Sequence, residues 1–379
     1  MDFNDTPEEA EFRARAAAWL DGAMADVPEQ EGLDQEERET WSRLWQQRLS
    51  DGGWTGLTWP VEHGGQGKEV VFEAIFNEEC AKRRTPYAQN GVALLLAGPT
   101  IMAHGTPAQK ERYLGKILRS EEYWCQGFSE PDAGSDLAAL RTVAKKTDGG
   151  WLISGEKVWT SNAHNASKCM LLARTDRDAP KHKGITYFLA DMESIDVRPL
   201  VMTNGDAEFN QMYLDDVFVA DEDVLGEVND GWKVTLTTLA YERGGLALSL
   251  CVWARQAVDA VCEAAAARGL LDDPGVADMV GQLEADAEAL RIGSLRAMSD
   301  ASPGPETSVG KLLWARTVQD ATRYGMELLG PAATLVDEPQ AVSMLHHYLR
   351  SRGHTIEGGT DEVQKSILAE RVLALPRSR

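Results

Sequence analysis

At 379 residues the chain exceeds what one ordinary core organises, so two or three domains are expected. Its 60 acidic and 38 basic residues leave a formal net charge of −22, which repels phosphate-rich partners and argues against nucleic acids and anionic membranes. A 43% apolar share supplies ample core, while the longest apolar stretch, residues 92–103 broken by Gly98-Pro99, is too short to cross a bilayer as a helix.

Met1-Asp2-Phe3-Asn4-Asp5 is acidic and lacks a charged-then-apolar leader, so a cytoplasmic location is expected. The first third reads as helices. Thr6-Pro7-Glu8-Glu9 is a capping box, and Phe12, Ala16, Trp19 and Leu20 follow on one face. Asp34 opens a second helix striped with Trp41, Leu44, Trp45 and Leu49. A glycine-rich loop from Gly56 to Gly67 precedes a helix near Val70, and Thr106-Pro107-Ala108-Gln109 caps another.

Near Tyr123 the pattern changes to short β-branched and aromatic runs, such as Ile185-Thr186-Tyr187-Phe188-Leu189. Asp148-Gly149-Gly150 is a plausible hairpin turn. No helical crossover fits between the runs, so the sheet is expected to be antiparallel. After Asp230 long helices return, at about 231–268, 274–300, 306–330, 339–350 and 361–373. The expected fold is a multi-domain α+β protein. It has an N-terminal helical domain (1–122), a central antiparallel β-barrel or sandwich (123–227) and a C-terminal four-helix bundle (228–379).

Several chemistries are disfavoured. Cys80, Cys125, Cys169, Cys251 and Cys262 have no C-x-x-C spacing and read as reduced, mostly buried small hydrophobes. No G-x-G-x-x-G follows a strand, so a nicotinamide site is not expected. Residues 304–311 superficially resemble a phosphate loop but have the wrong spacing and read as a linker. His346 and His347 are adjacent and so lie on different helix faces, and no metal is expected.

The chemistry concentrates in two segments. Gln126-Gly127-Phe128-Ser129-Glu130-Pro131-Asp132-Ala133-Gly134-Ser135-Asp136 follows a strand and could approach a flat or phosphorylated ligand, although alone it reads better as a turn-rich loop. About 25 residues on, Gly155-Glu156-Lys157-Val158-Trp159-Thr160-Ser161-Asn162 ends a strand in an aromatic and a run of hydroxyl and amide groups. Together they could stack on and hydrogen-bond a heteroaromatic ring.

Ser-Glu-Pro-x-x-Gly-Ser-Asp followed by Gly-x-Lys-x-Trp-x-Ser-Asn resembles the signature pair of the acyl-CoA dehydrogenase family. Val224-Leu225-Gly226-Glu227, Gly231-Trp232, Glu242-Arg243 and Gly358-Gly359-Thr360-Asp361-Glu362-Val363-Gln364 follow in the family's order. The resemblance spans essentially the whole chain and implies FAD-dependent α,β-desaturation of an acyl-CoA. It implies that Gln126, Phe128 and Ser129 line the flavin ring, with Trp159 and Ser161 on its other side. Thr360 and Glu362 are implied at the FAD from the start of the last helix, and Arg268 at the FAD of a neighbouring subunit. Ser135, Arg243 and Gly359 are implied at the substrate. The chain departs from the pattern at Gly269-Leu270, where Thr-Phe is usual. Glu327 departs too, at a FAD-site position usually held by glutamine, where a carboxylate would repel phosphate.

The reaction needs a base for the α-proton, and two glutamates compete. Many relatives carry it directly before Gly-Thr; here that position is Gly358, with Glu357 one residue early. Others, resembling isovaleryl- and long-chain-type enzymes, carry it before an arginine on the first bundle helix, which is Glu242-Arg243. Leu239 and Leu246 flank Glu242 at helical spacing, and Gly244-Gly245 weaken the helix there by about 1 kcal/mol each. A bland reading makes Glu242 a solvated carboxylate beside a kink; the family context favours Glu242 as base, with Glu357 the alternative. The expected partners are an acyl-CoA, an electron-transfer flavoprotein, and a second copy or related subunit. The ending Thr355-Ile356-Glu357-Gly358-Gly359-Thr360 resembles actinobacterial-type enzymes that include hetero-oligomers acting on steroid side chains. An acyl-CoA oxidase, a flavin monooxygenase and a degenerate-site partner subunit are the competing expectations.

Overall fold

The computed structural model describes residues 4–29, 33–245, 247–298, 304–335 and 337–376; for 242–245, 247–249, 298 and 306 it describes the backbone alone. The helices are α1 (Pro7–Ala23), α2 (Gln35–Asp51), α3 (Val70–Lys82), α4 (Gly98–His104) and α5 (Pro107–Leu118), then α6 (Gly231–Gly245), α7 (Ala247–Ala267), α8 (Pro274–Met298), α9 (Ser308–Leu329), α10 (Pro339–Ser351) and α11 (Asp361–Ile367). Between α5 and α6 run β1 (Trp124–Gly127), β2 (Val143–Thr147), β3 (Gly150–Ser161), β4 (Lys168–Arg174), β5 (Ile185–Asp191), β6 (Asp196–Leu200), β7 (Phe209–Ala220) and β8 (Val224–Leu225). Helices, then a sheet, then helices is the expected order. The capping boxes form as read: Thr6 and Glu9 satisfy each other's backbone N–H, as do Thr106 and Gln109. Asp34 and Glu37 do the same at the head of α2, at 2.9 and 3.0 Å.

The chain divides into two compact units, Met1–Arg38 with Lys68–Pro86 and Arg243–Arg379, and Glu39–Gly67 with Tyr87–Glu242. In the first, α7 packs against α8 and α9, α9 against α10, and α3 and α1 extend the layer. Val258, Val261, Leu283, Ala287, Ala321 and Met344 form its core. Gly325 lets α9 and α10 approach closely, since a Cβ there would lie 2.3 Å from the Met344 sulfur.

The second unit holds an eight-stranded sheet in the order β6-β7-β3-β2-β4-β5-β8, with β1 beside β4. Most pairings are antiparallel; β1–β4 and β2–β4 are parallel. Asp148 and Gly149 turn the β2–β3 hairpin, with Gly149 at φ +71°. Strands β4 and β5 are buried on both faces, which is why they read as unbroken apolar runs. Met170, Leu172, Tyr187 and Leu189 face a core shared with Ile101 and Tyr113 of the helices. Leu171 and Phe188 face the other way, meeting Ile153, Met212 and Val217 of β3 and β7, so the sheet curls around a second core. A π-helical stretch, Ala93–Ala97, precedes α4, and the Trp59 indole N–H donates to the Leu94 carbonyl at 3.2 Å. Among the described residues no helix is long and apolar enough to cross a membrane, and no group of three His, Cys, Asp or Glu side chains is placed to hold a metal.

Candidate active site

In the sheet-containing unit, β1 runs into the loop that begins at Phe128, and β3 passes beside it at Lys157 and Val158. A buried ion pair joins them. Lys157 is fully buried and donates through Nζ to Glu130 Oε1 at 2.8 Å and to the Phe128 carbonyl at 3.1 Å. The Glu130 carboxylate also accepts the backbone N–H groups of Arg141 (2.6 Å) and Thr142 (2.9 Å). The Val158 N–H donates to the Ser129 carbonyl at 3.0 Å. Burial pushes the Glu130 carboxyl up, but Lys157 and these donors outweigh it and hold it below the ordinary value.

Past Lys157 the pairing of β3 with β7 slips, resuming at Thr160. The slip puts Trp159 in a left-handed conformation, φ +62°, with 60% of its surface exposed. A large aromatic in that region of backbone space is uncommon and invites a functional reason. Its indole meets the Phe209 ring edge-on at 5.9 Å. Gln126, Ser129 and Ser161 are half-buried and Ser135 is exposed, whereas Phe128 is buried with its ring edge-on to Tyr187. An exposed flat ring, with hydroxyl and amide groups on the same two segments, suits an aromatic cofactor with a polar edge, and FAD fits that donor set. Phe128 can offer such a group its backbone but not its side chain.

The helical unit holds the C-terminal candidates. Glu357 accepts from Arg350 at 2.9 and 3.2 Å and lies 2.5 Å from His354 Nδ1, while Trp314 covers the His354 ring at 4.3 Å. Burial pushes the Glu357 carboxyl up, but His354 and Arg350 win and bring it down to about 2. Gly358 and Gly359 follow at φ +64° and +88°. Both are left-handed, so a glutamate at 358 would be strained. The Gln364 amide, buried, donates to the Gly358 carbonyl at 2.8 Å. Thr360 caps α11 by accepting the Val363 N–H at 3.2 Å. Lys311, on α9, pairs with Asp361 at 3.1 Å, so the end of the supposed linker braces this turn instead. Glu362 is exposed, and its own N–H and the Thr360 hydroxyl hold its carboxyl below the ordinary value.

Arg268 lies just past α7, donating to the Ala264 carbonyl and the Gln340 side chain. Glu327 is exposed near the end of α9 and pairs with Arg323 at 2.7 Å. Glu242 and Arg243 fall on α6, their side chains outside the described residues, as is Leu246. Leu239, one turn earlier, packs against the helix-side core. Sequence reasoning missed the Glu130–Lys157 pair, the Arg350–His354 grip on Glu357 and the Gln364 brace. A signal existed for the first: Lys157 is a lone cation between Gly155 and the apolar Val158-Trp159 of a strand.

Three domain descriptions match the chain: acyl-CoA dehydrogenase N-terminal domain over residues 6–121, middle domain over 125–217 and C-terminal domain over 229–373. The chain is similar to the acyl-CoA dehydrogenase IpdE1 of Mycolicibacterium smegmatis, 39% identical and covering 98% of both chains. It is 42% identical to the acyl-CoA dehydrogenase FadE34 of Mycobacterium tuberculosis, covering 98% of this chain and 50% of that protein. Among solved structures, the Tcur3481-Tcur3483 steroid ACAD superposes with a TM-score of 0.86, and the ChsE4-ChsE5 complex from Mycobacterium tuberculosis with 0.87. Each is 30% identical, with all of both chains covered.

Proposed function

The chain belongs to the acyl-CoA dehydrogenase family, and from that premise we propose that it desaturates an acyl-CoA thioester between its α and β carbons and passes the electrons to an electron-transfer flavoprotein. The cofactor is FAD, which when bound supplies the acceptor for the β-hydride. Gln126, Ser129, Trp159 and Ser161 hold the ring, and Phe128 contributes backbone only, its side chain being committed to the core. Thr360, Glu362 and Arg268 serve the rest of the cofactor. Ser135, Arg243 and Gly359 serve the thioester side.

Glu242 takes the α-proton. A general base works best with a pKa near the operating pH, and Glu357, held at about 2 by His354 and Arg350, is poorly suited. The observation that carries the proposal is the joining of the Ser129 loop to β3, beside an exposed Trp159 between polar groups. The steroid ACAD among the structural relatives favours a bulky, polycyclic acyl group. The two-component names of both structural relatives favour assembly with a related subunit, and five unpaired cysteines favour a reducing compartment such as the cytoplasm.

The test is anaerobic single-turnover bleaching of the purified flavoprotein, alone and co-expressed with a candidate subunit, with straight-chain, branched and steroid-side-chain acyl-CoAs. Glu242→Gln should stay yellow and bind substrate while bleaching about 10²–10⁴-fold more slowly. Glu357→Gln should bleach nearly as fast as wild type. The reverse pattern makes Glu357 the base; rapid stoichiometric hydrogen peroxide in air replaces the flavoprotein acceptor with oxygen.

A further inference from the structure

Each signature segment contains a buried charged residue with no assigned part in the chemistry, Glu130 in the first and Lys157 in the second. The structure pairs these two with each other. Lys157 has no exposed surface, so its charge cannot be a solubility device. Its ammonium group has two partners, Glu130 Oε1 at 2.8 Å and the Phe128 carbonyl at 3.1 Å, both in the loop that follows β1. The next residue after Lys157 completes the joint, with the Val158 N–H on the Ser129 carbonyl at 3.0 Å. Peptide units are planar and trans here, so drawing the Phe128 carbonyl toward Lys157 turns the Ser129 N–H the opposite way, away from the buried lysine. Two residues further along β3 stands Trp159, in its left-handed conformation.

We propose that Lys157 is a positioning residue for the flavin: by gripping Glu130 and the Phe128 carbonyl it fixes the Ser129 and Trp159 walls relative to each other, and so sets how tightly and in what electronic surroundings the ring is held. This rests on the reading that both segments face the flavin. That reading has its own control, the flavin content of the wild-type protein and its loss in Trp159→Ala.

The test compares Lys157→Met, Lys157→Arg and the double variant Glu130→Gln/Lys157→Met. The single Met change strands a buried carboxylate, whereas the double change removes both charges and recovers folding. FAD release from diluted holoenzyme, followed by flavin fluorescence, should report affinity at least about tenfold weaker in both Met variants, the scale of one charge-assisted hydrogen bond. The visible flavin band should change shape in both. Lys157→Arg should recover part of each signal. Recovery of flavin affinity and spectrum together with thermal stability in the double variant would reduce the pair to scaffold and overturn the proposal. Hydrogen exchange on the wild-type holoenzyme needs no variant: residues 128–130 and 157–159 should open as one unit in rising urea. Independent opening of the two segments also overturns it.

Discussion

The joined signature segments of the sheet unit and the glycine turn before α11 in the helical unit are held in place by different means. In the sheet unit, one fully buried cation and one buried carboxylate clamp a loop to a strand, with backbone donors filling the remaining carboxylate positions. In the helical unit, the turn before α11 is held by a network that water reaches only in part. Glu357 is 30% exposed, Arg350 18%, and the bracing pair Lys311–Asp361 9% and 23%. A buried pair is expensive to desolvate and severe to break singly, because the survivor is left charged in a poor solvent. A partly exposed network gains less and loses less, because water can replace part of what a missing partner supplied. The first arrangement therefore specifies geometry, and the second tolerates change.

The sharpest break of that contrast is Lys157→Met. Removing one member of a buried pair costs about 3–5 kcal/mol, and here the Phe128 carbonyl loses a donor too. Thermal unfolding should fall steeply for the single variant and recover most of the loss when Glu130→Gln is added. A small drop for the single variant would mean that water reaches Glu130, and the two regions would no longer differ in kind.

Much of this was legible beforehand, and the gaps have a common cause. Helix starts were readable because a capping box is local: Thr6 and Glu9 satisfy each other across three residues. The strands were readable because β4 and β5, buried on both faces, leave unbroken apolar runs. The slip in β3 past Lys157 was not, since it depends on pairing with β7 about 50 residues on. The partners of Glu130 and Lys157 are 27 residues apart, and nothing in either motif alone says that they meet. Residues 304–311 failed for the same reason. Spacing pointed away from a phosphate loop and toward a linker, but only the fold brings Lys311 to Asp361, 50 residues away. At the C-terminal turn, two positive-φ glycines explain why Gly358 carries no carboxylate, whereas the disarming of Glu357 needed its neighbours in space.

A smaller effect sharpens the other side of the comparison. Glu357 has its folded pKa depressed from 4.5 to about 2, so its contribution is fully present above about 4.5 and disappears as pH falls toward 2. A shift of that size corresponds to roughly 3 kcal/mol, and exposure to solvent leaves on the order of 1–2 kcal/mol of it. Glu357→Gln should therefore be less stable than wild type by that margin at pH 7. The difference should stay level down to about pH 5 and close progressively below it. Urea unfolding of both proteins at a series of pH values measures this. A difference that persists unchanged at the lowest accessible pH would assign the cost to lost packing instead of lost charge.

The smallest stability effect belongs to Glu327, and its value lies in separating stability from cofactor affinity. The side chain is 59% exposed and pairs with Arg323 one turn earlier. Pairs of this kind contribute about 0.3–0.5 kcal/mol, so Glu327→Gln should unfold within about 0.5 kcal/mol of wild type. Its effect on FAD is expected to be larger and opposite in sign. If a phosphate of FAD from a neighbouring subunit approaches this end of α9, removing a carboxylate removes a repulsion. The variant should then hold FAD more tightly than wild type at low salt, and the advantage should shrink as ionic strength rises and screens the charge. FAD release measured across a salt series decides it. Equal affinity at every salt concentration would mean that Glu327 faces no phosphate, and the departure from the family's usual glutamine would then carry no cost for the cofactor site.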